Sequence, residues 1–317
     1  MTSDTRLAAP RAPRRRPLKV GVQLPEVERE VRWPELLAMA RRAEDVGFDS
    51  LWVGDHLLYR TPDGAKGPWE AWSMLAALAA STSRVELGPL VAATSFHAPA
   101  MLAKKAATVD EISGGRLILG LGAGWNETEY RAFGFPYDHR VSRFEEAFTI
   151  IRTLLREGAI DFVGRYFEAR DCELVPRGPR PGGPPLMVGS IGERMLAITA
   201  PHVDAWNGWY SWYGNRPDGL APLMARVDAA AAAAGRSPGE ITRTAAVLVR
   251  LTGGRGRLQG VASEPAPEPI EGSPEAIAEA LRSFAPAGIG HLQLVLDPIS
   301  ETSIAQMAPV LELLDRD

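Results

Sequence analysis

The feature that most constrains the fold of this chain is a regular alternation of short apolar runs and longer helical patterns. Eight runs are almost continuously apolar, which is typical of buried strands in a parallel sheet with helices packed on it. The runs are KVGVQL (19–24), SLWVGD (50–55), VELGPLV (85–91), RLILGLG (116–122), PLMVGS (185–190), VDAWNG (203–208), AAVLVRL (245–251) and HLQLVL (291–296). Eight strands, each followed by a helix, predict an α/β fold and more specifically a (β/α)8 TIM barrel.

Helical patterns and two insertions fill the intervals between these strands. A hairpin insertion is predicted over 160–174, with its turn at Gly164. The polar, proline-rich segment 255–272 is too long for an ordinary connection and is predicted to be a lid loop. The clearest helical patterns span 33–47, 69–82, 99–115 and 142–158.

A doubly wound parallel sheet is the alternative to a barrel, and it usually carries a glycine-rich fingerprint. The sequence has a candidate fingerprint in GLGAGW (120–125). Trp125 occupies the position of the third glycine, and no helical pattern starts there at once. The closed barrel is therefore the preferred fold.

Composition and charge argue against binding to nucleic acid or to a membrane. The chain carries 35 basic and 39 acidic residues, a formal net charge of -4. The basic stretch RAPRRRPLK (11–19) indicates a disordered tail over residues 1–18, which leaves 19–317 as a single barrel domain. Cys172 is the only cysteine, and the five histidines are far apart in the sequence. We therefore expect a cytoplasmic protein with no disulfide and no metal site, which argues against a metal-dependent hydrolase.

In TIM barrels the chemistry lies at the C-terminal ends of the strands. The second strand ends in Asp55 and His56. An imidazole with an ordinary pKa near 6.5 can give or take a proton at neutral pH, so His56 is a candidate catalytic residue with Asp55 beside it. A structural Asp55–His56 pair that fixes the following loop is the alternative.

Two other strand exits are rich in glycine. GSIGERM (189–195) follows the fifth strand, and either a phosphate site or a plain helix N-cap explains it. GLGAGWN (120–126) follows the fourth strand, where small residues let a flat ligand lie beside Trp125 and Asn126; close packing is the alternative. Aromatic residues after the sixth strand are predicted to wall a pocket for an apolar or aromatic substrate, namely Trp206, Trp209 and Trp212.

Four stretches, taken in order, make the chain resemble a known family from about Lys19 to its end. They are AEDVGFDSLWVGDHLL (43–58), VAATSFHAPAMLAKKAATVDEISGGRL (91–117), LGLGAGWNETEYRAFGFP (119–136) and PLMVGSIGERMLAITAPHVDAWN (185–207). The sequence resembles the luciferase-like monooxygenase superfamily (bacterial luciferase-like), and within it the F420- and flavin-dependent oxidoreductase branch. The resemblance implies a barrel that binds the cofactor ring in its mouth.

The resemblance also implies where the cofactor lies. The ring would rest on a bulge in the third strand that contains a non-prolyl cis peptide, which falls near Leu90–Val91. Asp55 would bond the cofactor, and His56 would face its reactive carbon. The turn after the fifth strand would hold the phosphate. The full set of expected cofactor contacts is Gln23, Asp55, Leu90, Val91, Ala123, Gly124, Asn126, Gly189, Ser190, Ile191 and Gly192, with Trp125 in the substrate pocket.

Two departures from the family pattern refine this expectation. The sugar-phosphate dehydrogenases of the family place a proton-donating Glu after the fourth strand. This chain reads Ala123-Gly124-Trp125-Asn126 there, so the residue that acts as general acid stays unassigned. Val141 stands where members that use flavin mononucleotide (FMN) have a phosphate-binding Tyr, which favours the deazaflavin coenzyme F420.

The resemblance therefore implies an oxidoreductase that binds F420 and transfers hydride, and the aromatic residues after the sixth strand favour an apolar or aromatic small molecule as its substrate. The alternatives are an FMN-dependent monooxygenase that uses O₂ and a flavin-binding barrel without turnover. A homodimer is a further expectation from the resemblance.

Overall fold

The structure is a computed structural model, and it describes residues 16–256 and 267–316. Within these residues the strands are Lys19–Gln23 (β1), Ser50–Val53 (β2), Tyr59–Thr61 (β3), Gly64–Lys66 (β4), Glu86–Pro89 (β5), Ala92–Ala93 (β6), Leu119–Gly122 (β7), Ala159–Val163 (β8), Glu168–Glu173 (β9), Leu186–Val188 (β10), Ala205–Gly208 (β11), Thr242–Arg250 (β12) and His291–Asp297 (β13). The helices are Trp33–Val46 (α1), Ala71–Ser81 (α2), Pro99–Ser113 (α3), Glu127–Phe133 (α4), Arg140–Glu157 (α5), Glu193–Thr199 (α6), Ala221–Ala233 (α7), Pro274–Arg282 (α8), Glu301–Gln306 (α9) and Ala308–Leu314 (α10).

The main sheet is parallel and nearly closes into a barrel. Its strand order is β5-β2-β1-β13-β12-β11-β10-β7-β6. The two end strands, β5 and β6, are successive segments of one chain stretch, so the two edges of the sheet meet there. A bridge between Leu87 and Leu117 joins the same edges lower down. The predicted TIM-barrel fold is confirmed, and each of the eight predicted runs overlaps a barrel strand.

Alternation along the strands separates two apolar cores. Leu51 packs toward the helices in the large outer core, whereas its neighbour Trp52 points into the barrel. The inner cluster consists of Trp52, Leu90, Met187 and Ala205. This cluster lies inside the barrel and includes Leu90 of the third strand.

The insertions and termini match the sequence only in part. The predicted hairpin is formed by β8 and β9, whereas the hairpin of β3 and β4 was not predicted, although its turn contains the typical residues Pro62, Asp63 and Gly64. Helix α5 begins at Arg140, two residues before the predicted helical pattern over 142–158.

The predicted tail and lid loop lie partly outside the described residues. Residues 1–15 and 257–266 belong to that part of the chain. Arg16, near the end of the predicted tail, is packed against the barrel, where its guanidinium forms salt bridges with Asp49 and Asp315. Across 16–256 and 267–316, no helix combines the length and apolar character needed to cross a bilayer.

The third strand is interrupted by a bulge at Leu90 and Val91. The peptide between these two residues is cis, as predicted. The side chain of Val91 fills the space that three glycines leave open. A Cβ atom would lie 2.9 Å from Val91 Cγ1 at Gly120, 2.8 Å from Cγ2 at Gly122, and 3.1 Å from Cγ1 at Gly189. The glycines at these two strand exits therefore make room for the bulge, which supports close packing at the fourth strand.

This packing predicts the effect of a methyl group at Gly120. A Cβ there would lie 2.3 Å from the carbonyl oxygen of Pro89, which is backbone and cannot rotate away. We expect Gly120→Ala to lower the free energy of unfolding by about 1–3 kcal/mol, measured by urea unfolding followed by circular dichroism. The control is Gly239→Ala, where a Cβ meets no atom within 4 Å. Equal unfolding free energies for the two variants would contradict this account of the bulge.

Candidate functional site

An imidazole and two carboxylates meet at the barrel mouth. Nδ1 of His56 lies 2.8 Å from Oε1 of Glu129, and Nε2 lies 3.7 Å from Oε1 of Glu26. Glu129 is fully buried and Glu26 is nearly so, whereas the His56 side chain keeps 19% of its surface exposed. The site therefore presents one partly exposed imidazole between two carboxylates.

Both carboxylates are held by groups from the strand exits. The backbone N–H groups of Leu57 and Leu58 donate to Oε2 of Glu129. The hydroxyl of Tyr59 donates to Oε1 of Glu26, and Nε2 of Gln23 donates to Oε2 at 2.7 Å. These contacts fix both carboxylates around His56.

The sequence did not single out either acid. Glu129 lies in the first turn of α4, which follows the fourth strand, and Glu26 lies three residues beyond the end of β1. Each has another acid two residues away, Glu127 and Glu28, so the local pattern did not say which one turns inward. The prediction left the acid unassigned, and the structure supplies two.

The surroundings of His56 change its pKa. Burial lowers the pKa of the imidazole. The charge of Glu26, the hydrogen bond and charge of Glu129, and the charge of Asp55 act in the other direction and together raise the pKa above the ordinary 6.5. The protonated form of His56 is therefore more populated near neutral pH than that of a free histidine.

Asp55 is hydrogen-bonded to groups other than His56, so the alternative of a structural Asp55–His56 pair is not what forms. Its Oδ2 accepts hydrogen bonds from the backbone N–H of Ala93 and from Nε2 of His97, both at 2.9 Å. Asp55 is buried. Its contacts tie the exit of the second strand to the segment just after the bulge, so Asp55 positions the mouth while Glu129 is bonded to His56.

Two aromatic rings flank His56. The ring of Tyr59 lies 4.9 Å from the imidazole, and that of Trp125 lies 5.7 Å away in an edge-on arrangement. Trp125 is 43% exposed. Its ring meets the imidazole edge-on and is open to solvent, and its assignment to the substrate pocket stays a prediction. Tyr59, in the hairpin that the sequence analysis missed, was not predicted.

The predicted aromatic wall after the sixth strand is not formed as a unit. Trp206 is fully buried in the helix-facing core, and its indole N–H donates to the carbonyl of Ser190 at 2.8 Å. Its assignment to the substrate pocket is therefore wrong. Trp209 is partly buried against the inner cluster, and Trp212 is 38% exposed. Alternation along the strand explains the outcome, because Trp206 lies on the outward face.

The fourth-strand exit is also more closely packed than expected. Nδ2 of Asn126 donates to the carbonyl of Leu58 at 3.0 Å, and the hydroxyl of Tyr130 donates to the carbonyl of Ala123 at 2.7 Å. A Cβ at Gly124, whose φ is 72°, would lie 2.0 Å from that hydroxyl oxygen. The amide of Asn126 and the hydroxyl of Tyr130 are thus bonded within the protein, whereas Asn126 and Gly124 keep part of their surface exposed, and their predicted cofactor contacts stay predictions.

Gln23, a predicted contact, and Thr94, which was not predicted, keep hydrogen-bonding capacity. Oε1 of Gln23 and Oγ1 of Thr94 are buried without a partner in the described part of the chain. Gln23 is the last residue of β1, and Thr94 directly follows β6. Ser190 accepts from the backbone N–H of Gly192 at 3.3 Å, in a partly exposed turn that leads into α6. The mouth therefore offers an acceptor and a hydroxyl next to the bulge at Leu90 and Val91.

Comparison with known proteins places the fold and the site in context. A family model described as luciferase-like monooxygenase matches residues 18–255. A 5,10-methylenetetrahydromethanopterin reductase of Archaeoglobus fulgidus is 29% identical over 262 residues, which covers 83% of this chain and 73% of the reductase. The pyrimidine monooxygenase RutA of Cronobacter turicensis is 37% identical over 175 residues, 54% of this chain and 45% of RutA.

A solved structure shares the same architecture. It is an F420-dependent secondary alcohol dehydrogenase in complex with an F420–acetone adduct, and it aligns with a TM-score of 0.79. The alignment covers 95% of this chain and 99% of the dehydrogenase at 20% sequence identity. At that identity the likeness shows the fold alone.

The raised pKa of His56 can be tested against a second histidine of the same chain. Burial and the charges of Arg152 and Arg236 lower the pKa of His202. We expect NMR titration of the histidine rings to place His56 above 6.5 and His202 below it, and Glu129→Gln to bring the pKa of His56 down. Protonated His56 then stabilises the folded state below the unfolded-state pKa, and this stabilisation is lost as pH rises through the folded-state pKa. A His56 pKa at or below that of His202 would contradict the account in which the neighbouring carboxylates raise the pKa of His56.

Proposed function

The chain belongs to the luciferase-like monooxygenase family, and we propose that it is an oxidoreductase that binds the deazaflavin coenzyme F420 in its barrel mouth. It transfers hydride between this coenzyme and a small molecule. The observation that carries the proposal is the contact of 2.8 Å between His56 and Glu129 at the mouth, beside the bulge at Leu90 and Val91. An imidazole held in this way handles the proton that accompanies a hydride.

The residues at the mouth fit a flat ring with carbonyl and N–H groups. The partnerless Oε1 of Gln23 is an acceptor, and the partnerless hydroxyl of Thr94 can donate. Leu90 and Val91, the expected ring contacts, are apolar, and Val91 keeps part of its surface exposed. The turn from Gly189 to Gly192 is the proposed phosphate site.

One residue favours F420, and one relative supports an alternative. Val141 lacks the hydroxyl that we expect of an FMN-binding member. The similarity to RutA, a monooxygenase, supports the alternative of an FMN-dependent enzyme that uses O₂.

The proposed chemistry needs a proton donor and a fixed geometry. Bound F420 in its reduced form supplies a hydride to an electrophilic carbon and is a poor activator of O₂. For a carbonyl substrate, His56 donates its Nε2 proton to the oxygen, so that one hydride and one proton give the alcohol. In the opposite direction neutral His56 takes up that proton. Glu129 holds the ring orientation through Nδ1, and Trp125 limits the access of water.

Turnover without O₂ tests this proposal. Under anaerobic conditions, a panel of ketones, enones and secondary alcohols is screened with reduced or oxidised F420, following the absorbance of the oxidised coenzyme. We expect turnover by the wild type and a loss of about 10²–10⁴-fold in His56→Ala, because the proton donor is removed. Cofactor affinity should stay within a few-fold.

His202→Ala is the control, since His202 lies away from the mouth and should not affect the rate. Undiminished turnover in His56→Ala would refute the assignment of His56. Consumption of O₂ with reduced FMN, and no reaction with F420, would replace the proposal with the monooxygenase.

A further inference from the structure

A cleft lies beside the acid–base cluster, by which we mean His56, Glu26 and Glu129. It is on the β1 side of the barrel mouth, away from the tryptophans that follow the sixth strand. Its volume is about 420 Å³, within the range of small-molecule sites. It opens between the loop after β1 and the segment after β4. We propose that this cleft binds the remote part of the substrate, an apolar chain or ring that carries one carboxylate. The identification of the ligand as a substrate rests on the proposed function. The binding of such a ligand in the cleft does not depend on it.

The walls of the cleft are largely apolar. Val27, Val31 and Leu36 line one side, and Pro68 and Trp69 line the other. The indole N–H of Trp69 donates to the carbonyl of Val31 at 2.7 Å and so ties the two walls together. Trp69 nevertheless remains 49% exposed. The exposed part of the Trp69 ring is an apolar surface on which an apolar ligand can pack.

The cleft adjoins the acid–base cluster through one residue. Glu26 lines the cleft and also lies 3.7 Å from Nε2 of His56. Its two oxygens accept hydrogen bonds from Tyr59 and Gln23. A ligand seated in the cleft therefore ends next to the cluster, with its near end at a carboxylate that is already bonded.

The charges of the lining residues indicate the chemistry of the ligand. Arg29 pairs with Glu35, and Glu30 pairs with Arg32. Lys66, which is partly buried, has no acceptor within the residues that the structure describes. Since Arg29 is paired with Glu35, the ammonium of Lys66 is the cation among the described lining residues that can bind an anion. A carboxylate on the ligand is favoured at Lys66 and disfavoured at Glu26, which orients the uncharged end toward His56.

Decanoate and decan-1-amine are the probes, because they share an apolar chain and differ in charge. The readout is the set of indole N–H resonances in ¹H–¹⁵N NMR spectra of the full chain without cofactor, with Trp69 assigned by its loss in Trp69→Phe. We expect decanoate to shift the Trp69 resonance saturably while Trp212 stays in place, and decan-1-amine to bind at least about fivefold more weakly.

Variants locate the site. Lys66→Glu should raise the Kd of decanoate about fivefold or more, and Lys66→Ala should do so to a smaller degree. Val31→Trp, which fills the cleft, should abolish the Trp69 shift in a protein whose circular dichroism is unchanged. Arg226→Glu is the control for the charge change, since Arg226 is an exposed residue of α7.

Three results would overturn the inference: an unmoved Trp69 resonance, a decanoate Kd that Lys66→Glu leaves unchanged, or shifts confined to Trp209 and Trp212. Its failure is distinct from failure of the proposed function. If decanoate does not bind but the protein turns over F420, the proposed ligand site in the cleft is overturned and the proposed function stands. Decanoate binding at Trp69 without any F420 turnover overturns the proposed function and leaves the carboxylate site standing.

Discussion

The packing of Val91 against the glycines of the fourth and fifth strands is the constraint on which the barrel mouth depends. The third strand pairs with β2 before the bulge and with β7 after it, so this one stretch joins the two edges of the sheet. Gly120, Gly122 and Gly189 lack the Cβ atoms that would exclude the Val91 methyl groups. Asp55 then holds the chain beyond the bulge through Ala93 and His97.

Closure of the barrel explains how the acid–base cluster assembles. His56, Glu26 and Glu129 come from three different strand exits, and parallel strands bring their C-terminal ends to one rim. The partners of the 2.8 Å contact are 73 residues apart in the chain. Burial lowers the pKa of the imidazole, but the charges of Glu26, Glu129 and Asp55 outweigh it and raise the pKa above its ordinary value. The imidazole with this raised pKa lies where the family resemblance puts the cofactor ring.

The parts of the structure that could be predicted are those with a local signal. Strand positions follow from apolar runs, and the hairpin over 160–174 follows from its turn at Gly164. The bulge came from the family resemblance. Contacts across the barrel have no local signal, which is why Glu26 and Glu129 were not assigned and why the bonds of Asp55 to Ala93 and His97 were not predicted. Trp206 was misplaced for another reason: the aromatic cluster was treated as one surface, although alternate residues of a strand face opposite ways.

Cofactor choice is the central claim, and binding tests it most directly. The chain is titrated in parallel with F420 and FMN under the same conditions, following the quenching of tryptophan fluorescence, to which the exposed Trp125 at the mouth contributes. The account predicts that F420 binds at least about tenfold more tightly than FMN, a difference of about 1.4 kcal/mol. Tighter binding of FMN would contradict it and make an oxygen-consuming monooxygenase the working description of this protein.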